Sequence, residues 1–167
     1  QITFIVTIGN REKQFYPSIT VDSPVKKRVI QMINNNKKKV SENDIFHRVF
    51  EYKSHKIQFF ANTKSSKGPS GKRQYLIANK RYFYDKKLHH LIMRKMSDTF
   101  WGAGTFGDYV CIIDLPADLM DPNVHPSKTE IKFIHHEYIY SGLSTIIKND
   151  QSHSYIKNND RDLNLTP

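Results

Sequence analysis

The stretch DPNVHPSKTE, residues 121–130, places two prolines, a histidine and a single lysine between two apolar, strand-like segments. Proline fixes its own φ angle and biases the preceding residue towards extended conformations, so Pro122 and Pro126 restrict the path of the chain around Lys128. The stretch is too rigid for an ordinary flexible loop and too polar for a core. It predicts that Lys128 is held in position to contact another group, the alternative being a surface lysine that precedes a strand.

The segments on either side alternate between strand-like and helix-like patterns. Alternating apolar residues and turn signals predict strands within residues 2–19, 45–52, 56–62, 73–83, 108–116 and 130–134. Helical spacing of apolar residues predicts helices within residues 23–33, 85–100 and 135–148. Because the strands form hairpins as well as alternating with helices, we expect an α+β or mixed α/β domain at residues 1–148. The polar, aperiodic residues 149–167 predict a linker or disordered tail.

Each predicted helix has an apolar face that we expect to be buried. These faces consist of Val25, Val29, Met32 and Ile33; of Leu88, Leu91, Ile92 and Met96; and of Tyr138, Ile139, Leu143, Ile146 and Ile147. The only cysteine, Cys111, lies in the apolar run YVCIID, where we expect a buried thiol rather than a nucleophile. It excludes an internal disulfide, and a reducing, intracellular setting fits that composition.

Positive charge is concentrated in the first part of the chain. Residues 1–90 contain 19 Lys and Arg against 6 Asp and Glu, whereas residues 91–167 contain 7 against 10. This asymmetry predicts either contact with a polyanion such as nucleic acid or a solvated surface rich in lysine, and charge alone does not separate the two. The sequence has no apolar stretch long enough to span a bilayer, and it begins at Gln1 within a strand-like pattern, so we expect it to be part of a longer protein.

Several short motifs point to catalysis or cofactor binding but fail on context. GAGTFG, residues 102–107, follows a helix and precedes a strand, which is the reverse of a dinucleotide-binding turn. GPSGKR, residues 68–73, has glycines too close together for a phosphate-binding loop and lacks its metal-binding hydroxyl. The adjacent pairs His89–His90 and His135–His136 point about 100° apart on a helix, so they do not favour a metal site. We therefore expect no catalytic residue and no metal ligand in this chain.

A longer stretch carries a resemblance to a known family. DPNVHPSKTEIKF, residues 121–133, resembles the DVNVHPAKTEVRF signature of the MutL family of DNA mismatch repair ATPases. RQYLIANKRYFYDKKL, residues 73–88, is similar to the family's RQYFFVNGRPVRDKLL, and the helices at residues 26–33 and 135–147 stand where the family has helices. The resemblance covers roughly residues 2–148 and is strongest over residues 73–147.

The resemblance implies a ribosomal-protein-S5-domain-2-like transducer fold: a mostly four-stranded, antiparallel or mixed sheet with helices on one face and a left-handed βαβ crossover. The chain would be the transducer, the second domain of an N-terminal GHKL-type ATPase region. Lys128 matches the lysine that reaches the γ-phosphate of ATP in the neighbouring domain, and Asn123 and His125 match residues that shape its loop. ATP and Mg²⁺ are then cofactors of the longer protein, with the Mg²⁺ ligands in the neighbouring domain, and this chain alone is not expected to be catalytic.

The resemblance also implies a basic surface that binds double-stranded or single-stranded DNA with little sequence preference. Lys86 matches a basic family position in that contact, and Arg81, Lys87 and Arg94 are further candidates nearby. Each of these residues has the alternative of being ordinary solvated surface. Contacts of this kind go to phosphates and depend strongly on salt.

Three positions depart from the family pattern. Lys80 replaces the glycine of the NGR turn, where a positive φ is expected, so the turn is either strained or of another type. Tyr82 replaces an adjacent proline, and Pro122 replaces a small aliphatic residue. The first two changes lie beside the predicted DNA surface.

As a member of this family, the chain would couple ATP binding to dimer closure during mismatch repair. Its implied partners are DNA, its own N-terminal ATPase domain, a second copy of the whole protein and a mismatch-recognition protein of the MutS type, with no membrane. The helix after the signature is closer to bacterial members, which favours a cytoplasmic homodimer; a eukaryotic member would be nuclear. Two alternatives remain: a stand-alone nucleic-acid-binding module of the same fold, and a topoisomerase-type transducer, whose lysine lies in a different local motif.

Overall fold

The structure, a computed structural model, describes residues 4–7, 13–16, 24–34, 39–69, 72–121, 130–147 and 155–157. The chain divides into two compact units, residues 1–42 and residues 43–167, each held together by contacts among its own residues. The units are described separately below. The predicted domain at residues 1–148 and tail at residues 149–167 stay predictions.

The first unit contains a hairpin and a helix. Strands β1 (Phe4–Thr7) and β2 (Lys13–Tyr16) pair antiparallel, as the alternating apolar pattern predicts. Helix α1 (Pro24–Ile33) begins at a proline, which suits a first turn because the missing N–H would have no helical partner there. Its predicted apolar face is only partly buried: Val29 and Ile33 are buried, whereas Val25 in the first turn is exposed.

The second unit begins with a 3₁₀ turn, Glu42–Asp44, followed by the hairpin of β3 (Ile45–Tyr52) and β4 (His55–Asn62). The two turn residues Lys53 and Ser54 both have positive φ angles, 44° and 63°. That combination is the two-residue turn whose twist matches a hairpin. The second strand therefore begins one residue before its predicted start at residue 56.

The remaining elements follow along the chain. The strands are β5 (Ser66–Lys67), β6 (Gln74–Ala78), β7 (Arg81–Phe83), β8 (Thr105–Phe106), β9 (Tyr109–Asp114), β10 (Met120–Asp121), β11 (Lys132–Phe133) and β12 (Tyr155–Lys157). The helices are α2 (Lys86–Met96) and α3 (His136–Ile146), with a π-helical turn at Ser97–Trp101 and a 3₁₀ turn at Ala117–Leu119. The pairs β5–β8 and β10–β11 are short antiparallel ladders.

One mixed sheet organises this unit, with strand order β12-β3-β4-β9-β6-β7. The pairs β6–β9 and β12–β3 are parallel, and the other pairs are antiparallel. With its helices, the chain is α+β, as the sequence predicts. The sheet has six strands where the resemblance implies mostly four, because a strand of three residues is added at each edge. The S5-like assignment and the left-handed crossover stay predictions.

The core lies between the sheet and helices α2 and α3. Alternate residues of the central strands, including Phe50, Ile57, Phe59 and Cys111, form one buried cluster with the apolar faces of both helices. Cys111 is fully buried, and burial raises the pKa of its thiol, so the prediction of a buried thiol is confirmed. Among the helices within the described ranges, none is long and apolar enough to cross a membrane.

Candidate nucleic-acid interface

Helix α2 exposes only basic and imidazole side chains. The exposed residues are Lys86, Lys87, His90 and Arg94. The buried residues are Leu88, Ile92 and Met96. Residues four positions apart are neighbours on a helix surface, so residues 86, 90 and 94 lie along one side. Because α2 contains no acidic residue, this side presents positive charge without a compensating carboxylate of its own.

The acidic residue directly before this row, Asp85, is occupied by structural contacts. Asp85 precedes α2 in an extended conformation, and its Oδ1 accepts a hydrogen bond from the backbone N–H of Leu88 at 2.9 Å. This is the N-cap arrangement, which satisfies one of the free N–H groups at the start of the helix. The hydroxyl of Tyr140, on α3, lies 3.5 Å from the same oxygen, and burial together with the Asp85 carboxylate raises the pKa of Tyr140 to about 12.

A histidine on the inner side of α2 connects the helix to the sheet. Nδ1 of His89 lies 2.8 Å from the hydroxyl of Tyr109, on β9. Burial, followed by the charge of His90, lowers the pKa of His89, and burial raises the pKa of Tyr109. Both groups are therefore neutral near pH 7, and His89 belongs to the packing of α2 rather than to its charged side.

The turn between β6 and β7 fixes the strand that carries Arg81. The side chain of Asn79 accepts a hydrogen bond from the N–H of Leu115 at 3.0 Å and donates one to the carbonyl of Leu115 at 2.9 Å. Asn79 and Lys80 have φ angles of 45° and 68°. The positive φ expected at Lys80 is thus confirmed, and a lysine occupies a backbone conformation that favours glycine.

Arg81 is exposed on β7, which is an edge strand of the sheet. Two exposed tyrosines, Tyr82 and Tyr84, follow it and flank the fully buried Phe83. Neither tyrosine was predicted from the sequence to have a functional role. The available signal was the alternation of two tyrosines around a phenylalanine next to basic residues, which indicates that the tyrosines lie on the side of the strand opposite Phe83.

The signature residues predicted to contact ATP, Lys128, Asn123 and His125, lie outside the described residues, as do Pro122 and Pro126. The two ends of the signature are described. Asp121 of β10 pairs with Lys132 of β11, and the N–H of Ile134 donates to the carbonyl of Leu119 at 3.1 Å. The two ends of the signature, residues 121–133, therefore pair with each other in one short antiparallel ladder.

A groove of about 780 Å³ lies beside the starts of α2 and α3. Its lining includes Asp85, Lys87, Lys132, Glu137 and Tyr140. Hydrogen bonds from its own backbone and from His135 lower the pKa of Glu137, so this carboxylate is ionised near pH 7. Because Lys87 shares the groove with these carboxylates, its charge is partly compensated, which makes it a weaker candidate for phosphate contact than Lys86.

The glycine-rich segment before β9 has a packing role. The structure has the order α2, π-helical turn, β8 and β9, so the segment follows a helix and precedes a strand, the reverse of a dinucleotide-binding turn. A Cβ atom on Gly107 would lie 2.4 Å from the indole of Trp101, whose Nε1 donates to the carbonyl of Asn62 at 2.7 Å. Within the part of the chain that the structure describes, no group of three or more His, Cys, Asp or Glu side chains is placed to hold a metal ion.

Comparison with known proteins identifies the class. A family model described as "DNA mismatch repair protein, C-terminal domain" matches residues 26–151, which is most of the chain. The chain is also similar to curated bacterial proteins named DNA mismatch repair protein MutL. It is 27% identical to the protein of Porphyromonas gingivalis over 132 residues, covering 79% of this chain and 21% of that protein.

Other relatives match over shorter stretches. The Aeromonas hydrophila protein is 34% identical over 84 residues, covering 48% of this chain and 13% of that protein. The Neisseria meningitidis protein is 40% identical over 68 residues, covering 41% of this chain and 10% of that protein. The chain thus spans about a fifth, or less, of the length of these relatives. It belongs to the MutL family of DNA mismatch repair proteins.

A solved structure shares the fold. The crystal structure titled as the N terminal domain of a DNA repair protein matches 89% of this chain and 47% of its own, with a TM-score of 0.56 and 17% sequence identity.

Proposed function

We propose that this chain is the transducer of a MutL ATPase, which binds DNA through the exposed side of α2 and contributes Lys128 to the ATP site of a neighbouring domain. The DNA-binding part of this proposal rests on one observation: every exposed residue of α2 is a lysine, an arginine or a histidine. The S5-like fold with a left-handed crossover belongs to the same proposal.

Electrostatics supports contact with DNA phosphates. Residues 80–95 contain six Lys and Arg against one acid, Asp85, whose carboxylate already caps α2. Cations that neutralise phosphates release condensed counterions, so such binding weakens steeply with salt and has little sequence preference. Lys86, Arg81, Lys87 and Arg94 are the proposed contacts.

The ATP contact is supported by the resemblance of residues 121–133 to the family signature. A lysine ammonium is a compact charge that suits a terminal phosphate, and its attraction changes when that phosphate leaves. Asn123 and His125 would shape the loop around Lys128, and the neighbouring domain would hold Mg²⁺. When bound, ATP supplies the γ-phosphate charge that this lysine senses, which would couple the nucleotide to movement of the domain and closure of the dimer.

The wider context follows from the family. The solved structure that shares the fold is titled an N terminal domain of a DNA repair protein, and this chain matches 47% of it. The neighbouring ATPase domain is proposed from the resemblance to the MutL family. A homodimer of the longer protein and a MutS-type partner are further parts of the proposal. Since the named relatives are bacterial, we propose action on chromosomal DNA in the cytoplasm.

The test is binding of the 167-residue chain to duplex DNA across a salt series. For the wild type we expect log affinity to fall steeply and linearly with log salt. Lys86→Glu should weaken binding at low salt and make the salt slope shallower by about 1 or more. Lys128→Ala should leave DNA binding unchanged.

Lys53→Glu is the matched control. It makes the same charge change at an exposed residue at the end of β3, which lies four strand spacings, roughly 19 Å, from β7 in the sheet. If Lys53→Glu and Lys86→Glu weaken binding equally, the effect reflects total charge and the α2 surface is wrong. Absence of binding at low salt would reject the DNA-binding part altogether.

A further inference from the structure

Tyr82 and Tyr84 expose large aromatic surfaces beside the basic residues. Their exposed fractions are 54% and 53%, whereas Phe83 between them is 1% exposed. The exposed cations Lys80 and Arg81 precede the pair. Lys86 and Lys87 follow it after two or three residues. Large exposed aromatic groups are costly in water, so a cluster of them within a charged surface indicates a binding site.

The two tyrosines lie on the same side of the chain. Both are exposed while Phe83 between them is buried, and Asp85 after them is in an extended conformation, which is the pattern of side chains that alternate along an extended chain. Phe83 packs in the core cluster with Leu88 and Ile92, so the tyrosine pair lies on the other side of β7. The pair is connected to the basic side of α2 through the chain, because Lys86, the first residue of α2, follows Tyr84 after one residue.

Their spacing fits a nucleobase. Two residues of an extended strand span roughly 6.6 Å, which separates the two ring attachments by about that distance. A flat base between two rings needs about 3.5 Å on each face. A base can therefore insert between Tyr82 and Tyr84, or successive bases can stack on the outer faces of the rings.

We propose that Tyr82 and Tyr84 form a stacking site for the unpaired bases of single-stranded DNA, whose phosphates contact Lys80, Arg81 and Lys86. This inference rests on the proposed DNA-binding function and adds the bases as ligands. Stacked base pairs of a duplex do not offer free faces to such rings, so the site distinguishes single strands from duplexes.

Charge argues for DNA rather than a protein strand as the occupant of this sheet edge. A protein strand added to β7 would use backbone hydrogen bonds and would gain nothing from a cluster of like charges. The alternation of aromatic rings with cations is instead the composition of surfaces that hold single-stranded nucleic acid.

The experiment measures binding of the 167-residue chain to a fluorescent oligothymidine and to a duplex of the same length. The variants are Tyr82→Ala, Tyr84→Ala and a double variant that combines Tyr82→Phe with Tyr84→Phe. Each alanine variant should bind the single strand about fivefold more weakly or worse, because stacking of one base on an aromatic side chain contributes at least that much. Duplex binding should be unchanged, and phenylalanine should retain single-strand binding because it keeps the ring. Since both side chains are exposed, thermal unfolding should stay that of the wild type.

The outcomes separate this inference from the proposed function. If Lys86→Glu weakens binding to both DNA forms while the alanine variants bind the single strand as the wild type does, the stacking site is wrong and the basic surface stands. Equal loss on single strand and duplex would also reject stacking. If neither DNA form binds at low salt, the proposed DNA-binding function fails and the stacking site fails with it.

Discussion

At the scale of single residues, Asn79 and Lys80 show which features of a turn can be predicted from sequence and which depend on the rest of the fold. The family pattern predicted a positive φ at Lys80, and its φ is 68°. No sequence rule indicated that the Asn79 side chain would bond both backbone groups of Leu115, because those groups are 36 residues away and are brought close only by the sheet. Local backbone geometry was predictable, and the long-range hydrogen bonds that stabilise it were not.

Asn79→Ala should therefore destabilise the chain. It removes two hydrogen bonds to Leu115, leaves that residue's buried polar groups without these partners, and places alanine at a φ of 45°. We expect a loss of about 2–4 kcal/mol in unfolding free energy. Urea denaturation measures it. Asn79→Asp keeps an acceptor for the Leu115 N–H but loses the donor, so its stability should lie between those of the wild type and Asn79→Ala. An unchanged denaturation midpoint for Asn79→Ala would contradict the role of these hydrogen bonds.

At the scale of elements, periodicity predicted the long elements and missed the short ones. The stripe Leu88, Ile92 and Met96 is fully buried in α2 as predicted, because three helical turns give a clear pattern. The two-residue strands β5, β8, β10 and β11 are too short to show any alternation. The basic side of α2 was predictable from the same helical pattern, and the exposure of Tyr82 and Tyr84 from their alternation with Phe83, whereas the position of β7 at the sheet edge was not.

The attachment of α2 to the sheet should depend on pH through His89. Burial lowers its pKa in the folded state below 6.5, so the unfolded chain binds more protons as the pH falls below that value. The stability associated with neutral His89 is thus fully present above pH 6.5 and is lost as the pH falls through the folded-state pKa. We expect the unfolding free energy to decrease between roughly pH 7 and pH 5.

The measurement compares urea denaturation of the wild type and His89→Gln across that interval. Glu137 titrates below 4.5, outside the interval, so it does not contribute. His90→Gln is the matched control, because His90 is exposed on the neighbouring position of the same helix. His90→Gln removes only the smaller cause of the lowered His89 pKa, the charge of His90, and leaves burial in place. The variant without His89 should therefore show a flatter dependence than both other proteins; equal slopes for all three would show that His89 does not couple α2 to pH.

At the scale of the whole molecule, composition and motif gave different kinds of information. The excess of cations in residues 1–90 is compatible with two interpretations, contact with a polyanion and a solvated surface, and does not favour either. The structure adds that the exposed cations of α2 lie on one side without an acidic neighbour on that helix, which charge counts alone do not reveal. The MutL family was predictable because residues 121–133 combine rare residue types at fixed spacing, and the family comparison confirms it.

Lys128 can be tested in the complete ATPase that we propose contains this chain. Lys128→Ala should lower the rate of ATP hydrolysis by roughly 10²-fold, because one charge-stabilising donor at a reacting phosphate contributes about that much. Lys132→Ala, which removes an exposed lysine four residues further on, is the control and should hydrolyse ATP as the wild type does. Steady-state kinetics measures both, and single-strand and duplex binding by each variant should match the wild type. Because Lys86→Glu is expected to do the reverse, weakening DNA binding while leaving basal hydrolysis unchanged, the two variants together test whether one domain carries two separate contacts. Loss of both activities in either variant would instead mean that the signature and the basic side of α2 act as a single surface.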